Sequence, residues 1–146
     1  MARPRTVMLT CFTGVASLLA GLANTRDTIL YNPSPSVPSG LYLRLDDTVV
    51  HGTMVTVRAI DVAPDYAALR DFTDAGDRFI KRVTAAAGDE VCASGDEVTI
   101  NGVTIAHREA RDAAGRALPT WSGCRILSAD ELLLLGDTPD SFDGRY

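Results

Sequence analysis

Between Arg5 and Arg26 the chain carries no charged side chain. The run Thr6 to Thr25 is twenty residues long, and a helix of that length rises about 30 Å, the thickness of the hydrocarbon layer of a bilayer. This segment therefore cannot be counted towards a water-soluble core. Arg3 and Arg5 precede it, so the positive-inside bias puts the N-terminus in the cytoplasm and everything after Arg26 across the membrane. A cleaved signal peptide is the competing reading, because Ala20-Gly21-Leu22-Ala23-Asn24 is rich in small residues near a suitable place. The reading adopted is an uncleaved anchor over residues 1–25 and one domain over 26–146.

Residues 26–146 have the size of a single domain. The whole chain has a formal charge of −5, and without Arg3 and Arg5 the remainder holds 12 basic against 19 acidic residues, a net of −7. No basic patch interrupts this balance, which argues against a nucleic-acid partner. Cys11 lies in the apolar run, while Cys92 and Cys124 lie in the exported part. An oxidising compartment lets those two pair, and two buried thiols are the alternative. His51 and His107 show no paired spacing with the cysteines, so zinc is not expected.

Tyr31 to Gly40 contains three prolines and a glycine, which excludes a helix, suits a central strand poorly, and reads as an extended loop. Leu41 to Leu45 and Met54 to Ile60 alternate as strands do, with a turn at His51-Gly52-Thr53 before the second. Pro64 to Arg70 has proline and aspartate in the positions of a first helical turn and is read as a short helical excursion. Asn101-Gly102 between Val98-Thr-Ile and Val-Thr-Ile105 predicts a tight hairpin. Residues 107–120 read as a solvated loop returning to Trp121 and Cys124, and residues 90–127 as an inserted hairpin and loop subregion. Glu131 to Leu135 reads as a short buried strand that runs into the glycine- and aspartate-rich segment 136–146. The fold class is all-β.

Lys81 is the only lysine; the other thirteen basic residues are arginine. Arginine keeps its proton near neutral pH, whereas a lysine taken out of water can lose it, so Lys81 and two histidines are the candidate bases. A composition biased towards arginine explains the lack of surface lysines. It does not explain the position of this one. If residues 78–84 form a strand, alternation groups Phe79, Lys81 and Val83 on one face, and the lysine shares the apolar side.

Several separated motifs then fall in one order: Asn32-Pro-Ser34-Pro-Ser36-Val-Pro38-Ser-Gly40-Leu-Tyr42, Gly76-Asp-Arg-Phe-Ile-Lys81-Arg-Val, Gly88-Asp89-Glu-Val, Gly136-Asp137, and Ser141-Phe-Asp143-Gly-Arg145-Tyr146. Over residues 30–146 the chain resembles membrane-bound signal peptidases of the Ser/Lys type, and within them the TraF-type pilin-processing peptidases of conjugative transfer. Ser36-x-Pro38-x-Gly40-Leu-Tyr42 points to that branch, since housekeeping signal peptidases have Ser-Met-x-Pro. The resemblance implies a signal-peptidase/LexA-like β domain on a single membrane-spanning helix, with the N-terminus in the cytoplasm and the catalytic domain in the periplasm of a bacterium.

By the same resemblance Ser36 is the nucleophile, Lys81 its general base, and the Ser34 hydroxyl an oxyanion donor beside the Ser36 N–H. Flanking prolines would hold the Ser36 backbone extended. Ser141 would orient the Lys81 amine, and Asp143 would hold Arg145 or the loop carrying Ser141, although an Asp-x-Arg pair near a strand end is often purely structural. Asp89 and Asp137 are read as turn residues, and His51 and His107 as surface residues. No cofactor and no metal are implied. The expected partners are a pilin or other exported precursor, the lipid bilayer, and conjugative type IV secretion components. In TraF-type enzymes the substrate's own amine can capture the acyl-enzyme and cyclise the pilin. Two rival readings are a general signal peptidase cleaving after small-x-small sites, and an inactive tethered scaffold. Two departures stand out: Gly144 occupies a position where the family usually has serine, and relatives continue past Tyr146 with Phe-Gly and a further strand, so a truncated copy is expected.

Overall fold

The computed structural model describes residues 28–74 and 76–146. The apolar run expected to anchor the chain lies outside these residues. Among the described residues no helix is long and apolar enough to cross a membrane. Chain contacts divide the fold into two units, one containing residues 28–33 and 39–47, the other Ser34–Pro38 with Thr48–Tyr146.

The first unit is an antiparallel pair, β1 (Ile29–Asn32) and β2 (Gly40–Leu43), in register from Ile29 opposite Leu43 to Asn32 opposite Gly40. Tyr31 and Asn32 thus belong to a strand, and the expected strand Leu41–Leu45 ends at Leu43. Leu45 is solvent-exposed, so extending the strand to it would bury nothing.

The second unit holds two antiparallel sheets. β3 (Met54–Arg58) runs into two short helices, α1 (Ala59–Val62) and α2 (Pro64–Leu69), before β4 (Arg78–Ala85). The apolar pattern predicts a strand as far as Ile60, but the chain turns at Arg58. The Arg58 guanidinium grips the Asp61 carboxylate at 2.7 and 3.0 Å, and the Ala59 N–H donates to the Asp77 carbonyl at 3.0 Å. α2 begins with Pro64 in its first turn, where a missing N–H costs nothing. β5 (Glu90–Ser94), β6 (Glu97–Ile100), β7 (Val103–His107), β8 (Gly123–Ile126) and β9 (Leu133–Leu135) complete the order. One sheet has the order β3-β4-β9 and the other β7-β6-β5-β8.

The β6–β7 hairpin turns at Asn101 and Gly102, with φ of 49° and 79°, the left-handed conformations that a two-residue turn of this hand requires and that Asn-Gly adopts at least cost. The sequence pattern does not announce β5 or β8. β8 exposes all four of its residues, so it carries no burial pattern to detect. Glu131 also falls outside β9; its carboxylate instead accepts from the Ser128 N–H and hydroxyl at 2.9 and 2.8 Å, closing the turn before the strand.

Ala85 of β4, Val91 and Ala93 of β5, Val98 of β6, Leu127, and Leu133 and Leu135 of β9 form one buried cluster. The two sheets of this unit therefore share a core, built mostly of small and branched side chains. Cys92 and Cys124 sit opposite one another on β5 and β8 and are joined as a disulfide. With its ends 32 positions apart, this crosslink removes unfolded-chain entropy equivalent to roughly 3 to 4 kcal/mol. Replacing both cysteines by alanine is expected to lower the unfolding free energy by about that amount, read from urea denaturation under oxidising conditions.

Candidate active site

Alternation along β4 places Lys81, Val83 and Ala85 on the buried face and leaves Ile80, Arg82 and Thr84 half-buried between them. Lys81 is only 5% exposed. Its ammonium nitrogen lies 5.9 Å from the Phe79 ring centroid and donates to the Ser141 Oγ at 2.7 Å. Burial pushes the Lys81 pKa below the ordinary 10.5; Asp143 opposes that shift, Arg145 adds to it, and Asp137 opposes it. Loss of hydration thus outweighs the nearby carboxylates, and the amine gives up its proton more readily than a lysine in water does.

Ser141 is presented by the segment that leaves β9. The Gly136 N–H donates to the Asp143 Oδ2 at 2.7 Å. Arg145 donates to both Asp143 oxygens, Nε to Oδ1 at 2.8 Å and Nη2 to Oδ2 at 2.9 Å. Its remaining N–H groups reach the Pro139, Thr138 and His107 carbonyls at 2.6, 3.2 and 3.4 Å. The side chains of the pair are 4% and 0% exposed. One buried ion pair therefore closes residues 136–145 into a loop, and almost every donor on the guanidinium is used to do so.

Gly136 is the meeting point. A Cβ there would lie 2.2 Å from the Ser141 Oγ and 2.9 Å from the Ser36 carbonyl oxygen, so only glycine lets the two serine segments approach this closely. The Asp137 N–H then donates to the Ser36 carbonyl at 2.6 Å. The Asp137 carboxylate takes two hydrogen bonds from Arg82, at 2.8 and 2.7 Å, and these hold its pKa below the usual carboxylate range. Arg82 also donates to the Gly52 carbonyl at 3.0 Å. Along the sequence Asp137 reads only as a turn residue. Its partner lies 55 positions away, and no local pattern connects them.

The segment carrying Ser36 is not extended, as its prolines suggest. Pro35 and Ser36 form a turn and Val37 a bend, with Val37 buried to 1% exposure. The Ser34 hydroxyl donates to the Ser36 Oγ at 3.1 Å, and the Ser36 N–H donates to the Ser34 Oγ at 3.2 Å. The structure thus gathers Ser36, Gly136, Ser141, Lys81, Asp143 and Arg145. The Ser36 hydroxyl bonds to Ser34 and the lysine to Ser141.

The other candidates lie elsewhere. Asp89 accepts from the Ala86 N–H at 2.9 Å and from the Asn101 amide at 2.8 Å, bonds that lower its pKa and brace the hairpin. His51 is exposed, and His107 is an exposed strand end 3.6 Å from Asp96. Among the described residues no cluster of histidine, cysteine and carboxylates is arranged to hold a metal ion. Gly144 has a packing reason: a Cβ would stand 2.8 Å from a Leu133 methyl and 2.9 Å from the Leu134 carbonyl, which leaves no room for serine.

Removing one half of a buried ion pair strands the other charge, at a cost of about 3 to 5 kcal/mol. Asp143→Ala is expected to destabilise the fold by that order, measured by urea unfolding. Asp143→Asn keeps the shape but removes the charge and turns one acceptor into an NH2 group facing N–H donors, so it should lose a comparable amount.

With the geometry in place, comparison with known proteins gives the ancestry. A family model described as signal peptidase, peptidase S26, matches residues 5–146. The plasmid transfer protein TraF of Escherichia coli is 34% identical over 151 residues, covering 91% of this chain and 81% of that protein. No solved structure matches the chain. The chain belongs to the signal peptidase family, peptidase S26, and so to the serine peptidase type of hydrolase.

Proposed function

We propose that this protein is a membrane-anchored serine endopeptidase that processes a pilin-like precursor in plasmid transfer, with Ser36 as nucleophile and Lys81 as general base. The observation that carries the reading is the buried Lys81, hydrogen-bonded to Ser141 at 2.7 Å beside the glycine where the Ser36 backbone and Ser141 converge. Similarity to a plasmid transfer protein supports the context. The uncharged run before Arg26 supports the anchor and a catalytic domain on the outer side of the inner membrane.

A serine hydroxyl becomes a useful nucleophile when a nearby base accepts its proton. Lys81 takes that proton as Ser36 Oγ attacks the scissile carbonyl. The developing oxyanion is met by the Ser36 N–H and the Ser34 hydroxyl, which turn from each other towards the substrate; such donors are typically worth roughly 3 to 4 kcal/mol each. Lys81 then protonates the departing amine, leaving an acyl-enzyme. Water releases an open chain, whereas the precursor's own amine releases a ring. Intact mass separates these products, because the ring is lighter than the hydrolysed chain by one water.

Ser36→Ala is expected to abolish precursor cleavage, and retention of cleavage would sink the reading. Lys81→Arg keeps a cation but cannot become neutral, so kcat/KM should fall by about 10²-fold or more with the fold retained. In the unaltered enzyme kcat/KM should rise with pH as Lys81 loses its proton, through a midpoint below 10.5. Unfolding free energy should rise too between that midpoint and 10.5, because the unfolded chain binds the proton more tightly across this window. An ascending limb centred on the ordinary lysine value would contradict the assignment.

Gly136→Ala tests the geometry from the other side. The added methyl displaces Ser141 or the Ser36 main chain, and misplacement of about 1 Å is enough to cost about 10²-fold in rate. Activity should drop on that scale, measured with the same precursor, while circular dichroism remains native.

A further inference from the structure

A cavity of about 190 Å³ borders Lys81. Val57 of β3, Phe79 of β4, Leu134 of β9, and Phe142 and Tyr146 of the C-terminal segment supply its apolar wall. The Phe142 ring stacks on Tyr146 at a centroid distance of 5.6 Å, so part of that wall is a braced aromatic surface. Its charged lining is Lys81 and Asp143, and Asp143 is already engaged by Arg145 and the Gly136 N–H. Ser34–Pro38 do not line it.

The chemistry of the site says which part of a substrate meets this chamber. Lys81 must hand its proton to the departing amine, so that nitrogen comes within hydrogen-bonding distance of the lysine. The amine belongs to the first residue after the scissile bond. Its side chain is the substrate group that reaches a space bordering Lys81 and not Ser36. An apolar cavity of about 150 Å³ is enough to take benzene, so this one has room for a single ring or a branched aliphatic side chain. Leu132 at 41% exposure and Val62 at 55% carry the apolar lining out to solvent and offer a way in.

We propose that the chamber recognises a large apolar side chain, of the leucine, isoleucine, methionine or phenylalanine class, on the first residue after the scissile bond, and so holds the departing amine against Lys81. The orientation of the ligand rests on the Ser36/Lys81 reading above. Filling the chamber also excludes water from the lysine while it carries out proton transfer, which couples substrate recognition to the state of the base.

Leaving-group mimics test the proposal without knowledge of the cleavage site. Leucinamide and phenylalaninamide carry both the amine and an apolar side chain, glycinamide the amine alone. Titrated into the purified full chain and followed by NMR, leucinamide is expected to bind about tenfold or more tightly than glycinamide, as burial of one leucine side chain implies. Ala63 also lines the chamber; Ala63→Phe, which puts a ring into its wall, and Leu132→Asp, which puts a carboxylate at its mouth, should each erase that preference. Leu132 is exposed enough for its variant to fold even if the first does not. Equal affinity for the two amides in the unaltered protein, or a preference that survives in the folded variants, overturns the proposal. In Ser36→Ala the leucinamide preference should persist, since Ser36 is not in the wall. Loss of the preference with Ser36→Ala inactive refutes the chamber alone, whereas cleavage by Ser36→Ala refutes the peptidase reading.

Discussion

The buried pair of Asp143 and Arg145 is the constraint from which the site is built. Its side chains are almost wholly removed from water, and two charges in that position are tolerable only when nearly every donor and acceptor has a partner. Here the partners are main-chain groups. The Gly136 N–H and the Thr138 and Pro139 carbonyls complete the pair, so satisfying the charges also dictates the path of the loop. Ser141 is delivered to Lys81 as a consequence of that path. The pair is structural in its chemistry, and it sets which serine meets the lysine.

A second layer holds the opposite face of β4. Arg82 points away from Lys81 by strand alternation and binds Asp137, whose N–H holds the Ser36 carbonyl. Adjacent residues of one strand thus serve the two halves of the site, the lysine reaching Ser141 and the arginine reaching the support of Ser36. Arg82 and Asp137 are roughly a third exposed, so solvent screening makes their energetic contribution modest. Their value is geometric, because the bidentate fork fixes orientation as well as distance.

Much of this is legible along the chain because the signals are local. Asn101-Gly102 has one favoured turn, and the alternation of Lys81 with Val83 comes from the strand period. Pro64 announces its helix. The misreadings share one cause. Ile60 continues an apolar pattern, yet the chain bends at Arg58 because Asp61 and Asp77 offer better partners than a longer strand. Pro33, Pro35 and Pro38 exclude a helix but do not choose between an extended path and a turn. β8 has no buried face of its own, and it becomes a strand only because β5 is available to pair with it.

The sequence by itself determined which residues are chemically capable of the proposed reaction: one lysine in an apolar strand, serines held between prolines, and an Asp-x-Arg motif near the end. Residue type and spacing also carried the family. Tertiary structure alone decided how those groups are arranged. Whether Lys81 loses its hydration, which serine it bonds, and why position 136 must be glycine depend on contacts between residues tens of positions apart. Hydration and steric exclusion are properties of a packed surface, and a linear pattern holds no record of which surfaces will meet.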